Sequence, residues 1–182
     1  LLYPQFFCLN GREFTQEITM AMAQNKSDLH PIAARLTQAG ILLPTPPTPI
    51  ASYVGYVAAG NLIYVSGQLP MQNGQVAHTG KVGREIDIAT AQAAAKLCAI
   101  NVLAQLNAAL GGDWARLGRC VKLTGFVNCT DDFTDQPKVI NGASNFIGEI
   151  LGEAGIHARA AVGVNALPLG VPVEVEAIFV TN

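Results

Sequence analysis

Hydrophobic and polar positions alternate at two periods along this chain, and the period changes mark its elements. From Asp87 to about Leu110, Ala93, Leu97, Ile100, Leu103, Leu106 and Leu110 recur at helical spacing, with Gln92, Lys96, Asn101 and Gln105 on another face, and Gly111-Gly112 stops the run. A second helix is predicted from Thr134 or Asp135, with Pro137 in its first turn and Val139, Ile140, Ala143, Phe146, Ile147, Ile150 and Leu151 as its apolar stripe. Period-two runs predict strands at Tyr53–Ala58, Leu62–Ser66 and Arg119–Asn128, with a short run at Gln75–Ala77 after the Asn73-Gly74 turn. Two further runs flank Leu167-Pro168-Leu169-Gly170 near the C-terminus and read as a β-hairpin. The order ββ(β)αβαββ predicts an α+β fold, a mixed β-sheet with two helices packed on one face.

The hairpin register carries the first functional expectation. An even-length loop centred on Pro168-Leu169 sets Ala161 opposite Glu176 and Arg159 opposite Ile178. Arg159, Ala161, Glu174 and Glu176 then share one face, and Ala160, Val162, Val164, Val173, Val175, Ala177 and Phe179 form the core face. Arg159 and Glu176 become diagonal neighbours, on the order of 7–8 Å apart. A guanidinium fork grips a carboxylate, a nearby carboxylate orients or deprotonates a water, and small Ala161 leaves room between them. The plainer reading is a cross-strand ion pair of little consequence, with Glu174 simply solvated.

Upstream, residues 1–22 read as an extension, and residues 23–50 as a short helix (Ser27–Gly40, capped by Ser27 or Asp28) and a stiff Pro-rich lead, Leu43–Pro49. Residues 51–182 form the main domain.

Composition narrows the function. Half of the 182 residues are hydrophobic, only 13 % are charged and the formal net charge is −2. So apolar a surface predicts a homo-oligomer, and the lack of a basic cluster weighs against nucleic acid. Cys8, Cys98, Cys120 and Cys129 form no CxxC pair, and His30, His78 and His157 are scattered. Buried reduced thiols in a cytoplasmic protein are expected, with no metal site. No apolar run reaches the ~20 residues of a membrane span.

With these elements in order, the chain resembles the reactive intermediate deaminase (RidA, or YjgF and endoribonuclease L-PSP) family. The resemblance lies in Tyr53, the run Gly60–Pro70 (GNLIYVSGQLP), Val121-Lys122, Phe126-Val127, Asp132-Phe133, Asn141, His157-Ala158-Arg159, Leu167-Pro168 and Val173–Ile178. It implies a chorismate-mutase-like fold, a homotrimer with a central barrel, and ligand clefts between subunits. It also implies cofactor-free hydrolysis of 2-imino or 2-enamino acids to 2-keto acid and ammonia. Arg159 then matches the group that holds the substrate carboxylate and Glu176 the group that positions water, with Tyr53, Ser66 and Asn141 lining the cleft. Departures are Ala160-Ala161 after the arginine, a longer segment after Phe133 and the N-terminal addition. The alternative is a trimer that binds small carboxylates such as 2-keto acids without catalysis. An endoribonuclease, the older family activity, is the weakest reading, since the chain offers neither a histidine pair nor a basic channel.

Overall fold

A computed structural model describes residues 30–46 and 52–182. Helix α1 spans Pro31–Gln38, with His30 as N-cap, its Nδ1 accepting from Ile32 N at 3.3 Å. Ser27 and Asp28, the expected caps, lie outside the described residues, as does the expected 1–22 extension. Residues 41–46 are non-helical, as their prolines require.

Strands β1 (Tyr56–Ala59) and β2 (Leu62–Gln68) form a hairpin, β3 (Met71–Gln72) and β4 (Gln75–Val76) a small one. Helix α2 runs Ile88–Ala109, β5 Leu117–Asn128, α3 Gln136–Leu151, β6 Ala158–Val164 and β7 Val173–Thr181. The main sheet has the order β1-β2-β7-β5-β6. Tyr53 therefore precedes β1 rather than opening it. All three helices lie on one side, α2 over β2 and β7, α3 over β5 and β6, and α1 against α3.

Local chemistry sets the helix ends. Asp87 Oδ1 accepts from Thr90 N at 2.7 Å, a bond that also holds the Asp87 carboxyl below its ordinary value. Gly111 and Gly112 both take positive φ beyond the helix, a conformation other residues enter at a cost. In α3 every apolar position expected from the sequence is buried. In α2 the expectation holds for Leu103, Leu106 and Leu110, which are buried, and is displaced elsewhere. Ala91, Ala94, Ala95, Cys98, Ala99 and Val102 are buried and Ala93 is exposed, because alanines on nearly every side give the pattern no strong direction. Gln105, expected on the polar face, is only 5 % exposed and lies against Gly55. Asn101, from the same face, donates to Leu69 O and Met71 O.

The closest helix contact sets a stability test. A Cβ on Gly142 would fall well inside contact distance of the Gln92 backbone carbonyl, so α2 and α3 pack backbone to backbone there. Gly142→Ala should lower stability by about 1–3 kcal/mol through overpacking, read as a lower Tm with unchanged secondary structure. An unchanged Tm would mean that the helices part freely.

The C-terminal hairpin is corrected. Strands β6 and β7 do not pair, because β5 lies between them, parallel to β6 and antiparallel to β7. A β5–α3–β6 crossover forms instead, with α3 pressed onto β5 at Gly125, where the Ile140 side chain takes the space of a Cβ. The return loop crosses the end of β5. Asn128 Nδ2 donates to Val171 O, and Lys81 Nζ donates to Asn128 Oδ1, Cys129 O and Asn165 O.

Faces change with the register. Leu123 aligns with both Arg159 and Ala177, and Gly125 with Ala161 and Val175, so Arg159 and Ala161 lie on the helix side. Thr124 aligns with Ala160 and Glu176, and Phe126 with Val162 and Glu174, so both glutamates lie on the open side. Ala160 and Val162, expected in the core, belong to that open face too.

Candidate active site

The Arg159 side chain reaches from edge strand β6 to α3. Its Nη1 donates to Asn141 Oδ1 at 2.9 Å and to Ser144 Oγ at 3.1 Å. Both Nη1 protons are thereby used, while Nε and Nη2 make no hydrogen bond among the described residues, leaving the Nε/Nη2 edge open as a fork for a carboxylate. The ion pairs among the described residues are Arg84–Glu85 and Lys138–Asp135, and Arg159 is in neither. The cross-strand pair with Glu176 does not form, because the two side chains leave opposite faces of the sheet.

Asn141, expected from the family pattern, thus meets Arg159 directly. Ser144 is a partner that sequence reading missed. Its spacing from Asn141 places it on the same helix face, but only the parallel β5/β6 pairing brings that face to the arginine.

The carboxylates occupy a second locality. Glu174 and Glu176 alternate with buried Val173, Val175 and Ala177 along β7 and are themselves half-buried. The Glu174 carboxylate occupies the space that a Cβ on Gly67 would take, so only glycine at that position of β2 admits it. Burial, then the charge of Glu176, raises the Glu174 carboxyl above its ordinary value. Glu174 thus carries a chemical signature that sequence reading left as solvation. The signal available was Ser66-Gly67 in a strand, a mark of close approach.

Ser66 Oγ donates to Val54 O at 2.7 Å, tying β2 to the segment that carries Tyr53. Tyr53 is exposed and, with Gly67, Gln68, Asn101 and Gln105, lines a cavity of about 420 Å³ roofed by Pro44 and Pro46. Gly67, which follows Ser66 and lies under Glu174, thus links that carboxylate to the cavity that Tyr53 lines. Strand β2 lies three spacings from β6, about 14 Å at ~4.8 Å each, and Glu174 on β7 leaves the opposite face, so one chain does not bring this group to Arg159 and Asn141.

Burial pushes Cys120 up to about 12 and Cys98 well above the ordinary thiol range, so both stay protonated at neutral pH. Cys98, Cys120 and Cys129 are free and buried. Among the described residues no cluster of His, Cys, Asp or Glu could hold a metal ion, and no helix is long and apolar enough to cross a membrane.

A mixed sheet backed by helices on one side and open on the other defines an α+β class of protein, and here an arginine with a free guanidinium edge stands at one end of the sheet. Residues 33–178 match the family described as "YjgF/chorismate mutase-like, putative endoribonuclease", and the chain belongs to it. It is 46 % identical over 152 residues to Protein TCP17 of Trypanosoma cruzi, covering 83 % of this chain and 94 % of that one. The crystal structure of Atu1372 from Agrobacterium tumefaciens, a protein of unknown function, superposes with a TM-score of 0.79 at 51 % identity, covering 87 % of this chain and 96 % of that one. E. coli TdcF with bound serine superposes with a TM-score of 0.55 at 29 % identity, covering 76 % and 94 %. The matched family region begins inside α1.

Proposed function

We propose that this chain is a cytoplasmic, cofactor-free deaminase that hydrolyses 2-imino and 2-enamino acids to 2-keto acid and ammonia. The observation that carries the proposal is the Arg159 guanidinium, pinned by Nη1 with its Nε/Nη2 edge free of any carboxylate of its own. That edge suits the carboxylate of a small amino-acid derivative, and the serine bound by TdcF is a ligand of that kind.

In the reaction, Arg159 anchors the carboxylate and so orients C2; an enamino acid first tautomerises to the imine, gaining a proton at C3 and losing one from nitrogen, and water then adds to the electrophilic C=N carbon. A carboxylate takes a proton from the water, and a proton reaches the nitrogen. The carbinolamine's hydroxyl proton then passes to nitrogen as the C–N bond breaks, which leaves the 2-keto acid and releases ammonia. Glu176 is the water-positioning group that the family pattern matches, and Glu174 joins it here as a carboxylate whose burial raises its proton affinity and so suits it to accept the proton. Tyr53, Ser66 and Asn141 line the cleft.

The site is completed between subunits of a homotrimer. Arg159 with Asn141, and Glu174 with Tyr53 and Ser66, stand at separate places on one sheet. The open face carries Val57, Tyr64 and Val162 at 52, 44 and 44 % exposure, an apolar surface for a second copy to cover. The test generates imines with an amino-acid oxidase and follows 2-keto acid formation with and without the protein. Acceleration supports the deaminase. Carboxylate binding without acceleration of any imine moves the reading to the non-catalytic carboxylate-binding trimer, which Arg159 serves equally well.

Glu174 also fixes a pH dependence. Its folded value lies above its unfolded one, so the native state binds more protons and stability falls as pH rises from the unfolded value through the folded one. Glu174→Gln should therefore raise Tm at pH 7 more than at pH 4. An equal shift at both values would assign the gain to packing.

A further inference from the structure

Beyond the residues that touch substrate in the proposed reaction, the structure shows a chain of hydrogen bonds behind the arginine. His157 Nδ1 lies 2.6 Å from Gly155 O, and a carbonyl oxygen can only accept, so Nδ1 carries a proton. In the neutral ring Nε2 is then the bare acceptor. It lies 3.1 Å from Ser144 Oγ, so the serine hydroxyl donates its single proton to His157. That turns the oxygen's lone pairs outward, and Arg159 Nη1 donates to them at 3.1 Å. The order Gly155 O, His157, Ser144, Arg159 has one direction throughout, with each donor and acceptor role set by the carbonyl at its start.

From this we infer that Ser144 and His157 are positioning residues that hold the Arg159 guanidinium in its anion-ready orientation, with the histidine tautomer as the lock. The inference rests on the reading of Arg159 as the carboxylate anchor. Arginine on an exposed edge strand would otherwise sample many rotamers, and ordering it at the moment of binding would cost affinity. Asn141 Oδ1 supplies one fixed acceptor, and Ser144 the second. Two acceptors on Nη1 fix the guanidinium plane, where one would let it swing. Ser144 and His157 are half-buried, which makes them the stiffer part of the assembly. The 3₁₀ turn Gly152–Gly155 presents the carbonyl that starts the chain, and a Cβ on Gly155 would strike the Ile147 backbone. Ser144 needs no activation as a nucleophile for this role.

The test measures pyruvate binding by calorimetry and steady-state imine hydrolysis for Ser144→Ala, His157→Phe, His157→Gln and Arg159→Ala, with thermal unfolding as the control for folding. Ser144→Ala and His157→Phe should each weaken pyruvate binding and raise KM about tenfold, with kcat changed less than about threefold. Their double variant should be no worse than either alone, because both act through one chain. His157→Gln should retain most of the parental affinity, since its amide oxygen can accept from Ser144 near the position of Nε2. His157→Phe keeps the ring shape without the acceptor, so a merely structural histidine would tolerate it better than Gln. Parental affinity in both Ser144→Ala and His157→Phe, or equal loss in His157→Phe and His157→Gln, overturns the inference. If Arg159→Ala binds pyruvate as tightly as the parent, the anchor reading falls and the inference with it. Loss in Arg159→Ala alone leaves the anchor standing and removes only the lock.

Discussion

Arg159→Ala should cut kcat/KM for imine hydrolysis by at least about 100-fold while leaving fold and assembly intact, because the guanidinium supplies both charge and orientation to the substrate carboxylate. The expectation of an intact fold follows from placement. Arg159 is exposed, sits on edge strand β6, and has no ion pair among the described residues. Its removal frees Asn141 Oδ1 and Ser144 Oγ on a wet edge, where water replaces the lost donor. Arg159→Lys should recover only part of the loss, since an ammonium offers a point charge where the open Nε/Nη2 edge offers two parallel N–H groups. Oxidase-coupled kinetics beside circular dichroism and a measured mass in solution would decide the matter. An alanine variant hydrolysing imines at the parental rate would remove the arginine from the mechanism and the deaminase proposal with it.

The second large effect is a rescue. Arg159→Ala and a Glu174→Gln/Glu176→Gln chain should each be inactive alone, and co-refolding them in equal amounts should restore roughly a quarter of the parental activity, the statistical share of clefts that receive an intact arginine from one subunit and intact glutamates from its neighbour. The sheet geometry motivates this directly. Arg159 aligns with Leu123 on the helix side and Glu176 with Thr124 on the open side, so the two groups diverge within one chain. Co-refolding without any recovery would put the whole site within a single subunit. Single Glu174→Gln and Glu176→Gln variants then divide the roles. The raised Glu174 carboxyl predicts the larger kcat loss at that position.

Much of the architecture is legible in the sequence. Helix α3 follows its apolar stripe residue by residue, because a one-sided helix has one way to face a sheet. The Asp87 cap and the diglycine stop of α2 follow from side-chain and backbone chemistry that acts within four residues. Helix α2 was less legible. Alanine packs on any side, so the positions of its buried face were set by the neighbours that came close, Gly142 of α3 above all. The C-terminal strands depart from the expected hairpin for a different reason. Alternating strands joined by a Pro-Gly loop look the same whether they pair with each other or with a third strand between them.

Sequence by itself therefore determined the element order, the α+β class and, through scattered motifs, the family. These depend on local propensity and on which residue types occur in what order. Tertiary structure alone decided that β5 lies between β6 and β7, that Arg159 and the glutamates leave opposite faces, that Glu174 fills the space over Gly67, and that His157 and Ser144 stand behind the arginine. Strand pairing is a contest among long-range partners of similar alternation. It is settled by the crossover of α3 and the clasp of Lys81 and Asn128 on the return loop, both of which exist only once the chain has closed on itself.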